Sequence, residues 1–142
     1  MKFYRLEPEV AGGFGDDTVI NHSVSPPRVE RLDYQFEVWS GDELLESFPC
    51  FIASERLSNA IKQLNAPGVR FADVKITQSE EFEELYPGKV LPEFKWLQVF
   101  GTPGQDDFGI SKDFRLVVSE AILDTLKSYA LSHCDISDWT KD

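Results

Sequence analysis

At two places in the chain a short run of consecutive apolar residues is followed by apolar residues at helical spacing. At the second place, residues 116–118 form an apolar run that is typical of a strand buried on both faces. Ser119 follows, and its side chain can accept a hydrogen bond from a free N–H group in the first turn of a helix. Glu120 then places a negative charge at the positive end of the helix dipole, and apolar residues recur at helical spacing from Ile122 onward. The segment is predicted to be a buried strand that turns into an amphipathic helix at Ser119.

The same arrangement occurs 65 positions earlier, around Ser54 and Glu55. Residues 51–53 form the apolar run, and Leu57 and Ile61 lie on the apolar stripe of the helix. The offset also matches positions beyond the two helices: Val69 with Cys134, Phe71 with Ile136 and Asp73 with Asp138. The two units are either a structural duplication or two unrelated capped helices, and both interpretations make them scaffold.

Alternation and turn residues elsewhere predict strands around these two principal helices. The predicted strands cover residues 3–6, 18–20, 34–39, 48–54, 69–77, 94–100 and, as an edge strand, 134–139. In the third of these strands the buried face carries Tyr34, Phe36 and Val38. Residues 42–47 are predicted to form one helical turn.

A short helix is predicted after a cap at Ser79, with its apolar and acidic positions on different sides. Phe82, Leu85 and Tyr86 are expected to face the core. The flanking glutamates are expected to face solvent: Glu80, Glu81, Glu83 and Glu84. The order of elements predicts an α+β fold with a mainly antiparallel or mixed sheet.

The length and composition are those of one globular domain over residues 1–142. Apolar residues make up 42% of the chain and aromatic residues 13%, which suits a packed core and excludes a disordered protein. Acidic residues number 25 and basic residues 14, so the net charge is −11. This charge opposes binding to nucleic acid or anionic lipid and favours a basic protein partner, although solubility alone also accounts for it.

The first residues and the two cysteines bear on the cellular compartment. The N-terminal stretch lacks the apolar core of a signal peptide, and no apolar run is long enough to cross a membrane. Cys50 and Cys134 lie in or beside apolar segments, which predicts two buried, reduced thiols. We therefore expect a cytoplasmic protein without a membrane partner.

No catalytic or cofactor-binding set is recognisable from residue spacing. The only histidines, His22 and His133, have no cysteine or second histidine at metal-ligand spacing. Ser119 is accounted for as a helix cap, and the glycine-rich residues 10–17 lack the spacing of a dinucleotide or P-loop motif. We expect a protein that is not an enzyme and that holds no metal or cofactor.

Two adjacent acidic pairs, Asp16–Asp17 and Asp106–Asp107, lie in glycine-bearing loops. Neighbouring carboxylates can bind a divalent cation, or one of them can have a raised pKa. Aspartates also stabilise turns through their own side chains, and neither pair is followed by further ligands at calcium-loop spacing. Turn formation is the favoured interpretation for both pairs.

Six short motifs, spread over most of the chain, resemble one family of bacterial proteins. They are Tyr4-Arg5-Leu6 with the following Gly-Gly loop, Gly41-Asp42-Glu43-Leu44, residues 51–55, Leu91-Pro92-Glu93-Phe94, Gln105-Asp106-Asp107-Phe108 and residues 116–120. The family is that of immunity proteins from polymorphic-toxin and contact-dependent inhibition systems. The resemblance implies a small cytoplasmic protein that binds and neutralises a cognate toxin domain. It implies no catalytic residues and no fixed binding site, because the toxin-binding surfaces vary between members.

Two functions remain open on the sequence, and a third, a subunit of a larger assembly, is not separable from the first of them by sequence. The first is an immunity protein whose acidic surface covers a basic, nuclease-type toxin, and the second is a small enzyme or ligand-binding domain built on the Asp106–Asp107 loop. For the first function, the partner-binding candidates are acidic and aromatic residues: Glu80, Glu81, Glu83, Glu84, Asp106, Asp107, Trp39 and Trp96. The tryptophans belong to this set because buried aromatic side chains commonly supply much of the free energy of binding.

Overall fold

The computed structural model describes residues 1–141, and this part of the chain contains thirteen strands and three helices. The strands are β1 (Phe3–Glu7), β2 (Gly12–Phe14), β3 (Val19–Asn21), β4 (Arg28–Arg31), β5 (Asp33–Phe36), β6 (Leu44–Ser47), β7 (Cys50–Ser54), β8 (Val69–Ala72), β9 (Lys75–Gln78), β10 (Phe94–Val99), β11 (Phe108–Ile110), β12 (Leu116–Ser119) and β13 (Asp135–Trp139). The helices are α1 (Glu55–Gln63), α2 (Glu80–Leu85) and α3 (Glu120–Leu126). The fold is therefore α+β and mostly sheet, with α1 and α3 as the two principal helices, as predicted.

Two four-stranded antiparallel sheets lead into the two principal helices. Their strand orders are β6-β7-β10-β8 and β11-β12-β1-β13. A third sheet, β2-β5-β9, is mixed because β5 and β9 run parallel, and β3 pairs with β4 alone. The prediction of antiparallel and mixed sheets is confirmed, and β13 lies at a sheet edge as expected for residues 134–139.

The two four-stranded sheets repeat one architecture, down to the register of their strands. Equivalent cross-strand pairs occupy matching places: Phe3–Ser119 and Leu6–Leu116 in one sheet, and Phe94–Ser54 and Leu97–Phe51 in the other. The first N–H of each helix also has an equivalent partner. Glu120 donates to the carbonyl of Lys2 at 3.1 Å, and Glu55 donates to the carbonyl of Glu93 at 2.8 Å. The 65-residue offset seen in the sequence is therefore a structural repeat, in which β10 stands where β1 stands in the other unit.

A serine begins each helix by accepting a backbone N–H of the first turn, which that turn cannot satisfy by itself. The Ser54 hydroxyl accepts from Leu57 at 3.2 Å, and the Ser119 hydroxyl accepts from Ile122 at 3.4 Å. Ser79 caps α2 in the same way. These contacts confirm the predicted strand–Ser–Glu–helix units.

Two clusters of buried side chains form the core. The first packs α1 and α3 on their sheets and includes Leu44, Leu57, Ile61, Ile122 and Leu126. The second is rich in aromatic residues: the ring centroid of Phe36 lies 6.2 Å from that of Phe82 and 5.4 Å from that of Phe94. The buried Tyr34 hydroxyl donates to the carbonyl of Glu46 at 3.1 Å, so this core holds no orphan phenol. Through Phe82, α2 belongs to the second core.

The helical turn predicted for residues 42–47 is wrong, because this segment is the strand β6. Leu44 packs in the first core and Leu45 packs in the second, so the strand is covered on both faces. A strand between two cores has no polar face. Two adjacent leucines therefore replace the apolar–polar alternation by which a strand is distinguished from a helix in sequence.

Two predicted strands differ most from the real ones. Residues 69–77 divide into β8 and β9, which enter different sheets. The strand predicted for residues 34–39 ends at Phe36, so Trp39 lies in the following loop. Val38, which was expected on the buried face, is 40% exposed. In α2, Phe82 is buried as predicted, but Leu85 is 61% exposed because a helix of under two turns directs only a narrow stripe at the core.

Candidate partner-binding surface

The acidic helix α2 lies on the second core with its glutamates in solvent. Phe82 is fully buried beneath it, whereas four carboxylates are exposed: Glu80, Glu81, Glu83 and Glu84. None of the four forms an ion pair within residues 1–141. Three of them occupy the first turn of α2, where the helix dipole favours negative charge. The arrangement therefore stabilises the helix and leaves a concentrated negative charge exposed to solvent.

Trp39 lies beside the C-terminal end of α2. Its indole Nε1 donates to the carbonyl of Asp42 at 2.8 Å, and its ring meets Phe94 edge to face with 6.3 Å between centroids. The Lys89 ammonium lies 5.0 Å from the centroid of Trp39 and 5.1 Å from that of Tyr86, the residue that ends α2. Trp39 is thus held on two sides and partly exposed, next to the acidic helix.

Two adjoining clefts connect α2 with Trp39. A cleft of about 870 Å³ is lined by Glu83 and Glu93 together with Lys89 and Lys95. A second, of about 470 Å³, is lined by Trp39, Glu55 and Glu93 together with Arg56. A hydrogen bond to the Glu55 carboxylate, together with repulsion from its charge, raises the pKa of Glu93. A cation placed between these two carboxylates would relieve that repulsion. We refer to the four α2 glutamates, Glu55, Glu93 and Trp39 together as the acidic face.

Trp96 and the Asp106–Asp107 pair lie outside the acidic face. Trp96 retains 9% of its surface and packs in the second core, opposite Ile52 and Ala72 on the neighbouring strands. Asp107 is followed directly by Phe108, which belongs to the first core and not to the core beneath α2. Of the eight candidate residues, Glu83 and Trp39 line the two adjoining clefts, and the other three glutamates share α2 with Glu83.

Both acidic pairs take part in turns or ion pairs of their own. The Asp106 carboxylate accepts the backbone N–H of Thr102 at 2.7 Å within its loop. Asp17 forms an ion pair with Lys75, and that contact lowers the pKa of Asp17. The Asp106 contact is the turn contact expected for its pair, whereas Asp17 joins its loop to β9 through an ion pair.

A cluster of metal-ligating side chains that the sequence did not indicate lies at the junction of the two units. It consists of Glu9, Asp42 and His133, whose ligand atoms all lie within 4.8 Å of one another. The three residues come from distant parts of the chain, so no spacing rule for metal ligands detects them.

Comparison with known proteins adds no relative. No protein-family model, no curated protein and no solved structure matches this chain. Within residues 1–141, every helix is too short or too polar to span a lipid bilayer.

Proposed function

We propose that this chain is a cytoplasmic immunity protein that binds and neutralises a cognate bacterial toxin domain and performs no catalysis. The observation that carries the proposal is the acidic face, in which the exposed carboxylates of α2 adjoin the clefts around Trp39. A basic partner fits this face because its charges would be complementary to the unpaired glutamates.

The partner we propose is a basic toxin of the nuclease type. Enzymes that bind nucleic acid carry positive surfaces, since contacts to phosphates supply much of their affinity. An acidic protein that covers such a surface competes directly with the nucleic acid. The net charge of −11 and the resemblance of the six motifs to immunity proteins support the same proposal.

The binding mode would combine steering by charge with an aromatic anchor. Exposed carboxylates raise the rate of encounter with a basic partner, while the free energy of binding concentrates in a few packed side chains. Trp39 suits the second role because two neighbours already fix its ring, so it loses little side-chain freedom on binding.

Co-expression with the toxin domain encoded beside this gene tests the proposal. We expect the two chains to co-purify in equal amounts, and we expect cells that produce the toxin to survive only when this chain is present. A non-cognate toxin domain of similar charge is the control, because charge attraction alone would retain both. Absence of a complex at low salt, together with no protection of cells, would overturn the proposal.

A further inference from the structure

Three side chains from separate segments converge near the loop before β6. The His133 Nδ1 atom lies 2.9 Å from Asp42 Oδ1 and 3.2 Å from Glu9 Oε2. Glu9 lies beyond the end of β1, Asp42 precedes β6, and His133 lies between α3 and β13. The cluster therefore connects segments of both repeated units.

Backbone contacts hold the Asp42 side chain and the main chain of Glu9 in place. The second carboxylate oxygen of Asp42, Oδ2, accepts the backbone N–H of His133 at 2.8 Å, and the Asp42 side chain is 1% exposed. The carbonyl of Glu9 accepts the N–H of Glu46 at 2.9 Å, which anchors Glu9 to β6. Ligands that are held in this way lose little freedom when an ion binds.

One oxygen of the cluster has no partner. Glu9 Oε1 is buried in a side chain that is only 13% exposed, and no hydrogen bond of good geometry reaches this oxygen within residues 1–141. A buried carboxylate oxygen without a partner is unfavourable, because it has lost its water without replacement. A cation bound by this carboxylate would remove that deficit.

We propose that Glu9, Asp42 and His133 bind a divalent transition-metal ion, with Zn²⁺ as the best fit. Imidazole and carboxylate are ligands that Zn²⁺ accepts at about 2.0–2.2 Å, so two ligand atoms on one tetrahedral ion lie roughly 3.3–3.6 Å apart. The separations of 2.9 Å and 3.2 Å are shorter than that spacing, so the ligand atoms need to move apart only slightly to admit the ion. Three protein ligands leave one position for water or for a group of a bound partner.

His133 is the member of the cluster that contacts solvent. The His133 side chain is 49% exposed and lines a cleft of about 590 Å³ that also contains the exposed Phe48 and Phe114. A bound ion would join the segment after β1 to the loop before β6 and the end of the α3 region. It would therefore stabilise the junction of the two units.

Without an ion, a protonated His133 imidazole can bridge the two carboxylates. Titration of the chain with zinc distinguishes this state from the metal-bound one. The experiment uses the full chain freed of metal with a chelator, zinc chloride as the probe, and calorimetry with thermal unfolding as readouts. We expect one Zn²⁺ per chain and a raised melting temperature. We also expect affinity that falls about tenfold or more in His133→Ala and in Glu9→Gln. His22→Ala is the matched control, because His22 is exposed and outside the cluster, and it should bind as the parent does.

Cobalt substitution identifies the ligands independently of stability. Co²⁺ on carboxylate and imidazole ligands gives visible d–d bands without the near-ultraviolet charge transfer that a thiolate ligand produces. Absence of heat and of a melting shift in the parent chain would overturn the proposal. Unchanged affinity in both variants, or a thiolate band that places the ion on Cys134, would overturn it as well. Glu9→Gln keeps the size of the side chain, so the proposal stays testable if His133→Ala folds poorly.

Discussion

The carboxylate of Glu43 accepts a hydrogen bond from the backbone N–H of Ala130, 2.9 Å away and 87 positions later in the chain. The N–H of Glu43 donates in return to the carbonyl of Ala130 at 2.8 Å. The same carboxylate accepts from the Ser54 hydroxyl at 2.8 Å and from Arg56 Nε at 2.6 Å. One buried side chain therefore connects the start of α1 with the segment that follows α3.

Replacement of Glu43 tests this connection through pH. Burial by itself would raise the pKa of Glu43, but hydrogen bonds from Arg56, Ala130 and Ser54 outweigh it and lower the pKa below its ordinary value. Because the folded pKa is the lower one, the ionised carboxylate contributes stability that is complete above the unfolded pKa of about 4.3. That stability is lost as the pH falls through the folded pKa.

We expect Glu43→Gln to destabilise the protein by about 1–3 kcal/mol at neutral pH and to weaken the acid dependence of the free energy of unfolding. Urea unfolding between about pH 6 and about pH 3 measures both effects. Glu37→Gln, at an exposed position, is the control and should follow the parent curve. A Glu43→Gln curve parallel to that of the parent would contradict the assigned role.

The two cap serines should differ in the stability they contribute. Ser119→Ala removes one capping hydrogen bond and should cost about 1 kcal/mol. Ser54→Ala also removes the donor to Glu43, so it should cost about 2 kcal/mol. Chemical unfolding of both variants gives the order, and a larger loss in Ser119→Ala would contradict it.

The parts of the fold that depend only on neighbouring residues, such as the helix caps, were predictable from the sequence. Ser54 and Ser119 were recognisable as caps because a cap needs only a serine before an amphipathic stripe. The segment around Leu44 and Leu45 was not recognisable as a strand. Its two faces are buried in different cores, so the sequence shows no apolar–polar alternation there. The division of residues 69–77 depends on which sheets receive the two halves, and that is decided by distant strands.

The sites depend more strongly on tertiary structure. The exposed glutamates of α2 were visible in the sequence, since they flank a buried Phe82 at helical spacing. The adjacency of Glu55 and Glu93 arises only when β10 pairs with β7. The convergence of Glu9 and His133 likewise requires both repeated units, and no spacing in the chain reports it.

The two thiols should react slowly in the folded protein. Cys50 is buried as predicted, whereas Cys134 is only partly buried. Burial raises the pKa of Cys50 to about 12, and partial burial is the largest cause that raises the pKa of Cys134 to about 12. The thiolate, which is the reactive form, is therefore scarce at neutral pH. We expect labelling by a thiol reagent to be slow without denaturant and fast in guanidinium. Rapid labelling of Cys50 in the native state, or a disulfide between the two cysteines, would be contrary to this expectation.

Variants of Trp39 and Trp96 should have different effects on toxin affinity and on stability. Trp39→Ala removes the proposed anchor and should reduce toxin affinity by about 2 kcal/mol or more. Trp96→Phe alters the second core, so it should lower stability by about 1–2 kcal/mol and leave affinity within about twofold. Calorimetric titration and thermal unfolding of both variants measure the two quantities. Loss of affinity in Trp96→Phe with none in Trp39→Ala would reverse the assignment.

The most direct test of the acidic face compares two variants of equal net charge in their association kinetics with the cognate toxin domain. One variant changes Glu80, Glu81, Glu83 and Glu84 to Gln, and the other neutralises four exposed acids elsewhere: Asp16, Glu30, Asp124 and Asp138. At low salt we predict an association rate about tenfold lower in the first variant, a change within about twofold in the second, and similar dissociation rates throughout. Equal association rates for the two variants would contradict binding through the acidic face.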